Sequence, residues 1–425
     1  MNQATPLSLR QISRFFFPLM LNVQLMSFSH NIINMALARQ ADAVANLAAF
    51  AVAIALHLFL ASPGYQNHTI ALALVRGRRS LISVTLFVLA ASSGISMMLA
   101  LIAWTPFGQF MFEQLIGVSP DLAKRAREVI AILAFLPFFT GIRGLCQGIV
   151  MRAHRTELVS LSTLIRIGSL VVILLLAGGH VPGPQLGALG LLGCIAVESL
   201  MMLWFACKCG IIPTGSAEHG VRDTFRYSLP LAFSSSMQQI IPLMISAIVS
   251  RLPDATIALA AFGVIRGFIF LLAGPMRNLQ QAYQALVHDQ RDYRVLMRFS
   301  RLVAAIMALI MLAVAYPLNV PVLGWCMGLK ADLRAYIALP LASCALFPIL
   351  YGAVNLWRGV FAQCHRTGVL GWATVAKVAY LAVAWPLAML SPVPIPGIAL
   401  AIFLLLTCEF CEAWYLNHQR HRLAS

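Results

Sequence analysis

Two stretches of this 425-residue chain decide its fold: DAVANLAAFAVAIALHLFLASP at 42–63 and DATIALAAFGVIRGFIFLLAGP at 254–275. They share the opening aspartate, a Leu-Ala-Ala-Phe core and the closing proline, at a constant offset of 212 residues. At an offset of 211 the match resumes further along, where His154-Arg155-Thr156 returns as His365-Arg366-Thr367. Self-similarity over most of a chain indicates a tandem duplication. The sequence therefore predicts two homologous halves.

The composition indicates that this chain is embedded in a lipid bilayer. Hydrophobic residues make up 60% of the chain and charged residues only 10%, whereas a soluble domain carries roughly 25% charged residues. The apolar runs are continuous rather than alternating, which predicts helices and excludes a β-barrel. We predict an all-α integral membrane protein with twelve transmembrane helices, six in each half. The predicted spans are roughly 13–37, 44–75, 81–105, 126–151, 158–178, 187–207, 229–250, 255–287, 299–317, 337–363, 368–390 and 397–416.

The two halves are predicted to form two six-helix lobes, 1–209 and 210–425, near a polar linker. An even number of spans in each half means that both halves enter the membrane from the same side, so the lobes should be related by a parallel pseudo-twofold axis. Pro63 and Pro275 occupy equivalent places in the second helix of each half and should bend it. Matching bends fit helices that line a cavity and move, which gives both prolines a gating role; the alternative is that the bends serve the shape of the helices alone.

The formal net charge of +16 does not indicate a nucleic-acid partner, because the membrane topology accounts for the position of most basic residues. They concentrate on one predicted face of the membrane, and by the positive-inside rule this face is cytoplasmic. Both termini should therefore be cytoplasmic. We expect a multi-pass monomer in a bacterial inner membrane.

Ionisable residues within the predicted spans are the strongest functional signal, because each costs about 3 kcal/mol or more unless it faces a partner or a wet cavity. Basic residues outnumber acidic ones, which predicts a cavity that attracts anions. Guanidinium groups suit carboxylate and phosphate. The basic residues are Arg143, Arg166, Arg266, Arg277, Arg358 and Lys377, and the acidic ones are Glu198, Glu409 and Glu412.

Arg166 and Lys377 occupy equivalent positions in the two halves, as do Glu198 and Glu409. In one interpretation the two cations close on a substrate from opposite sides. In the other, each cation pairs with the glutamate of its own half. The two are compatible, because an ion pair that breaks on binding is a common switch, and we therefore predict a coupling role for both glutamates.

Helical spacing groups several of the remaining polar residues. Arg358 follows Asn355 by three positions, so both should share one helix face, and Arg266 and Arg277, eleven apart, should share another. Lining of a cavity competes here with snorkelling to the membrane interface. Neutral residues that could line a cavity or hydrogen-bond between helices include Asn31, Asn34 and Gln238.

Catalytic and cofactor signatures are missing from the sequence. It has no Gly-x-Ser-x-Gly, no His-Glu-x-x-His and no phosphate-cradling Gly-x-x-x-x-Gly-Lys motif. Cys408-x-x-Cys411 has metal-binding spacing, but it lies inside the last apolar run, where packing is the better interpretation. We therefore predict no enzyme activity, no cofactor, no metal, and transport that does not use ATP.

The chain resembles the MOP flippase superfamily of MATE-type exporters, and most closely the progressive-ankylosis (ANK) type. The residues that carry the resemblance are Arg-Phe-Phe-Phe-Pro-Leu at 14–19, the block from Asp42 to Pro63, and the region from His154 to Arg166. The resemblance implies two lobes around a central cavity, alternating access by rocking, and coupling to an ion such as a proton or sodium. For the ANK type it implies small organic anions as substrates.

The chain departs from ion-coupled MATE exporters, which generally keep an acidic residue in a cavity helix. Its first helix carries Asn22, Gln24 and His30 but no carboxylate, and the seventh carries Gln239 beside Gln238, also without one. Antiport of cationic drugs by that route is therefore not expected.

The sequence favours a secondary exporter of a small, anionic organic solute. A flippase for a lipid-linked saccharide is the alternative within the same superfamily. An integral membrane transferase or assembly scaffold is a third interpretation, outside transport.

Overall fold

The computed structural model describes residues 7–153, 155–210, 220–287, 289–364, 367–390 and 395–424, so His154 and His365-Arg366 of the repeated motif lie outside the described residues. The described residues form helices and turns and include no strand, which confirms the predicted all-α fold. The first half contains α1 (Leu9–Ala38), α2 (Ala43–Ala61), α3 (Asn67–Leu74), α4 (Arg78–Trp104), α5 (Pro106–Gln109), α6 (Pro120–Leu133), α7 (Leu136–Arg152), α8 (Thr156–Ala177) and α9 (Gln185–Cys209). The second half contains α10 (Val221–Val249), α11 (Ala255–Leu272), α12 (Leu279–Leu286), α13 (Gln290–Ala315), α14 (Ala331–Ser343), α15 (Phe347–Gln363), α16 (Thr367–Leu390) and α17 (Gly397–Ala424).

Most of these helices can cross a membrane. Among the described residues, nine are long and apolar enough, or ten if α6 and α7, which meet at a bend of 41°, form one span. The first helix of each half, α1 and α10, is more polar but has 30 and 29 residues respectively. At about 1.5 Å per residue, each exceeds the thickness of the hydrocarbon layer. These two helices bring the number of potential spans to the twelve that the sequence predicts.

Both halves break their second helix at the same place. A 3-10 segment, Ser62–Gln66, separates α2 from α3 and contains Pro63, and Gly274–Asn278 separates α11 from α12 and contains Pro275. Proline has no N–H to donate, so the ladder of helical hydrogen bonds is interrupted there. The breaks lie where the sequence predicts bends, and the gating role of the prolines stays a prediction.

Packing groups the chain into two compact units that differ from the two sequence halves. One unit comprises Met1–Asn31 and Ala261–Ser425, and the other comprises Ile32–Ala260. Most of α1 thus belongs with second-half helices, and α10 belongs with first-half helices. The predicted boundary at residue 209 describes the repeat, and as a boundary between lobes it stays a prediction.

Glycines let α7 approach α3 closely within the unit Ile32–Ala260. A Cβ at Gly148 would lie 2.5 Å from the Ala71 Cβ and 2.8 Å from the His68 carbonyl oxygen. A Cβ at Gly144 would lie 2.9 Å from the Asn67 Cβ. Small residues that allow close backbone approach are a main source of helix association in membranes, so these glycines fix the position of α7.

We expect Gly148→Ala to destabilise the protein by about 1–3 kcal/mol, because the added methyl group must displace backbone atoms. The measurement is thermal unfolding of the purified protein in detergent. Gly168→Ala is the matched control, since a Cβ at that helical glycine would meet nothing within 4 Å. Equal unfolding temperatures for the two variants would contradict the close approach of α3 and α7.

A π-helical segment, Phe110–Ile116, ends against the side chain of Arg251 in the same unit. The guanidinium donates to the carbonyl oxygens of Ile116 at 2.7 Å and of Gln114 and Leu115 at 2.8 Å each. These carbonyls lie in the last turn of the segment, where intrahelical donors run out. Arg251 therefore caps this segment and ties it to the end of α10.

We expect Arg251→Gln to lower the unfolding temperature, because a loss of charge-assisted hydrogen bonds of about 1.5–3 kcal/mol leaves backbone carbonyls without a donor. Arg79→Gln is the control, since the Arg79 side chain is exposed. Unfolding temperatures that fall equally in the two variants would show that loss of charge, and not of the cap, is responsible.

Candidate functional site

Three charged side chains meet inside the unit Ile32–Ala260, in what we call the first cluster: Arg143 on α7, Arg166 on α8 and Glu198 on α9. The Nη1 atom of Arg143 lies 3.1 Å from Glu198 Oε2, and Nη1 of Arg166 lies 3.4 Å from the same oxygen. The Thr163 hydroxyl donates to Glu198 Oε1 at 3.5 Å. One carboxylate thus accepts from three helix-borne donors.

Local sequence explains why these helices can approach one another. Within α9, Gly190 comes close to Leu174 of α8, since a Cβ there would lie 2.8 Å from the Leu174 Cδ2. The Ser199 hydroxyl donates to the Phe139 carbonyl oxygen of α7 at 2.8 Å. Both contacts flank Glu198 and hold its helix against α7 and α8.

A second cluster lies in the unit that contains Ala261–Ser425. Its members are Arg358 on α15, Lys377 on α16, and Glu409 and Glu412 on α17. Lys377 Nζ lies 2.7 Å from Glu409 Oε1 and also pairs with Glu412 Oε2. Arg358 Nε donates to Glu412 Oε1 at 2.7 Å. Two cations and two carboxylates therefore neutralise one another.

Both clusters are shielded from solvent. The exposed fraction is 8% for Arg143, 4% for Arg166 and 3% for Glu198, and Lys377, Glu409 and Glu412 are buried as well. Removal of a charge from water is costly, and a buried charge is stable only when it is paired and hydrogen-bonded. The pairing therefore accounts for how the charges are accommodated within helices of a membrane protein.

Each of the two repeat-related cations contacts the glutamate of its own half. Arg166 pairs with Glu198 and Lys377 pairs with Glu409, which is the second of the two arrangements that the sequence allows. Whether either cation also contacts substrate stays a prediction, as does the coupling role of the glutamates.

Arg266 on α11 is a buried cation of a different kind. It makes no hydrogen bond or ion pair with the described residues. Its guanidinium carbon lies 5.9 Å from the centroid of the Phe262 ring and 5.3 Å from that of Phe270. Cation–π contact contributes about 2 kcal/mol or more in a desolvated site, but it satisfies none of the N–H donors of the guanidinium with a hydrogen-bond acceptor.

Arg277 differs from the sequence expectation that it shares a helix face with Arg266. It lies in the 3-10 segment Gly274–Asn278, beyond the end of α11, and its side chain is exposed. The helical spacing argument fails here because Pro275 ends the helix between the two arginines.

The neutral candidates are mostly buried and make hydrogen bonds. Asn31 donates to the Gly267 carbonyl oxygen at 3.1 Å, which links α1 to α11 within their unit. Asn355 is buried on α15 one turn from Arg358 and donates to the Tyr351 carbonyl oxygen at 2.7 Å. Asn34 is buried and Gln238 is half-buried. Asn31 thus holds two helices together, whereas Asn355 bonds within its own helix, and any further role of either residue in binding stays a prediction.

Sequence reasoning gave no role to Glu412 or Thr163. Glu412 follows Glu409 by three residues and so shares its helix face, which is the signal that could have placed it in the second cluster. Thr163 lies three residues before Arg166, but a threonine in an apolar helix ordinarily bonds its own backbone, so its contact with Glu198 has no distinct sequence signal.

Comparisons with known proteins identify both the family and the fold. The family model described as progressive ankylosis protein (ANKH) matches residues 5–252, more than half of the chain. No curated protein sequence matches the chain.

Several solved structures share the fold at low sequence identity. A multidrug resistance MATE family transporter of the MOP superfamily, in an inward-facing conformation, superposes with a TM-score of 0.73 at 13% identity, covering 96% of this chain and 98% of that one. The lipid II flippase MurJ, in an inward closed conformation, gives 0.71 at 13% identity, covering 95% and 87%. A MOP superfamily transporter from Pyrococcus furiosus gives 0.57 at 14% identity, covering 97% and 96%.

These matches confirm the predicted fold of two six-helix lobes. The chain belongs to the progressive ankylosis protein (ANKH) family.

Proposed function

We propose that the protein is a secondary active exporter that moves a small anionic organic solute out of the cell by alternating access of two lobes. We place it as a monomer in the inner membrane of a bacterium, with both termini cytoplasmic, and couple it to a proton or sodium gradient. It carries substrate and is not an enzyme.

One observation carries this proposal: of the charged residues that the sequence analysis singles out within the spans, more cations than carboxylates are buried or half-buried in the described helices. The cations are Arg143, Arg166, Arg266, Arg358 and Lys377, against Glu198, Glu409 and Glu412.

A membrane protein that keeps an unbalanced positive charge at a cost of several kcal/mol has a use for it, and attraction of an anion is the direct one. The polarity of the pocket can differ between members of this fold. The Pyrococcus furiosus relative is described as having a binding pocket of reverse polarity that suggests a different function.

A lipid-linked saccharide flippase is the second candidate, and the similarity to MurJ favours it. Such a substrate carries a diphosphate, which the same cations could bind. The two candidates differ in the remainder of the substrate, which is water-soluble in one case and a membrane lipid in the other.

We expect proteoliposomes containing the purified protein to transport anions in preference to cations. The probes are radiolabelled acetate, succinate and citrate, with tetraphenylphosphonium as the cation, under an imposed potential and under a pH gradient. At least one of the anions should move faster than the cation by about tenfold, equivalent to about 1.4 kcal/mol.

Protein-free liposomes are the control for leakage in this experiment. Faster movement of tetraphenylphosphonium than of any anion would contradict the proposed charge selectivity. Movement of an undecaprenyl-diphosphate sugar, without movement of any soluble anion, would instead establish the flippase.

We expect Arg266→Ile to lower anion transport by about tenfold or more without lowering the unfolding temperature. Ile54 occupies the equivalent position in the first half, so the variant carries the residue that the repeat itself tolerates. Loss of one charge-assisted hydrogen bond to an anion costs about 1.5–3 kcal/mol, whereas removal of a buried cation that has no ionic partner among the described residues should not destabilise the fold.

The unfolding temperature is measured on detergent-purified protein, and anion transport is measured after the same sample has been reconstituted into liposomes. A fall in unfolding temperature with unchanged transport would make Arg266 a structural residue instead.

A further inference from the structure

The two ionic clusters share one repeat-related ion pair, have their second arginines at non-equivalent positions of the repeat, and differ in number by one carboxylate. Arg166 corresponds to Lys377 and Glu198 to Glu409, each at an offset of 211 residues. At the same offset, the position of Glu412 is occupied in the first half by Met201. The first cluster therefore lacks the second acid that the second cluster has.

This difference leaves the first cluster with a positive charge. Two arginines share the single carboxylate of Glu198, so the formal charge is +1 among the described residues. In the second cluster, Glu412 forms ion pairs with both Arg358 and Lys377, which brings the formal charge to zero.

The first cluster also has an unused donor. The Nε atom of Arg143 is buried and has no hydrogen-bond partner among the described residues. Both oxygens of Glu198 already accept hydrogen bonds, from Arg143 and Arg166 on one side and from Thr163 on the other. Arginine has five N–H donors in a planar fork that fits an oxyanion. A further anionic group with several oxygens would satisfy the donor and neutralise the charge together.

Met201, in the place of the missing acid, is half-buried among apolar residues. It packs against the group that contains Cys146 and Val150 of α7 and Phe205 of α9. The side chain in this position therefore adds no charge to the first cluster.

We infer that the two clusters have specialised, so that the first binds the anionic group of the substrate and the second is a neutral structural link between α15, α16 and α17. The group bound is a carboxylate or a phosphate, held by Arg143 and Arg166 beside Glu198. This inference rests on the proposed function, because it presumes that the transported solute is an anion.

The decisive variant is Met201→Glu. It adds to the first cluster a carboxylate equivalent to that of Glu412, which makes the second cluster neutral. Arg166 should reach residues 198 and 201 together, as Lys377 reaches Glu409 and Glu412. Met201→Gln is the matched control, with a side chain of similar size and no charge. Arg143→Gln serves as a second route to a neutral cluster, since it leaves the Arg166–Glu198 pair intact.

Binding is measured as the ligand-dependent rise in unfolding temperature of the full-length protein in detergent, which gives the Kd by linkage. The probes are citrate for carboxylate and inorganic phosphate for phosphate. For whichever probe the wild type binds more tightly, Met201→Glu and Arg143→Gln should raise the Kd at least about tenfold, the effect of losing one charge-assisted contact. Met201→Gln should stay within about threefold, well below that effect.

The double variant Arg358→Met/Glu412→Met tests the other half of the inference. It removes a complete ion pair from the second cluster, so no buried charge is left without a partner. We expect it to raise the Kd less than Arg143→Gln does.

Equal Kd values for Met201→Glu and Met201→Gln would overturn the inference, and so would a double variant that weakens binding as much as Arg143→Gln. Wild-type protein that transports anions in proteoliposomes while Met201→Glu transports them equally well would defeat this inference alone. Wild-type protein that neither binds nor transports any anion probe would defeat the proposed function as well.

Discussion

The cost of a charge inside a bilayer governs the arrangement of this protein. Each ionisable side chain within a spanning helix costs about 3 kcal/mol or more unless it has a partner, so charges must gather where several helices meet. Glu198 brings together α7, α8 and α9 in this way, and Glu412 brings together α15 and α16 against α17. Apolar side chains are as stable against lipid as against another helix, so they alone would not specify which helices pack together. The charged clusters specify these groups of helices.

The two halves of the duplicated chain interrupt their helices with the same kinds of irregular segment. Each half interrupts its second helix with a 3-10 segment at a proline, Pro63 or Pro275, and each follows its third long helix with a π-helical segment. Such irregular segments weaken the continuity of a helix and give it places to bend. Under the proposed function, these segments are the places where the helices of a carrier can bend, and the repeat supplies them to both halves.

Much of this could be predicted from the sequence, because it depends on local chemistry and on the repeat. The helical fold follows from continuous apolar runs, the breaks from Pro63 and Pro275, and the Arg166–Glu198 contact from equivalent positions in the two halves. The rest depends on tertiary packing. The exposed position of Arg277 follows from where α11 ends, and the grouping of α1 with later helices involves contacts far apart in the chain. The spacing from Glu409 puts Glu412 on the same helix face, but its neutralising role depends on how α15, α16 and α17 pack together.

Glu198 has a further consequence if the first cluster holds the substrate. Without it, two buried arginines would carry two uncompensated charges whenever the substrate left, at a cost that would trap the anion on the protein. With Glu198 in place the empty site carries only one surplus charge, and the carboxylate competes with the anion for the same guanidinium groups. A carrier must bind its substrate strongly enough to select it and weakly enough to release it. A fixed internal carboxylate that offsets part, but not all, of the positive charge meets both demands. In the second cluster the additional carboxylate of Glu412 offsets the positive charge completely.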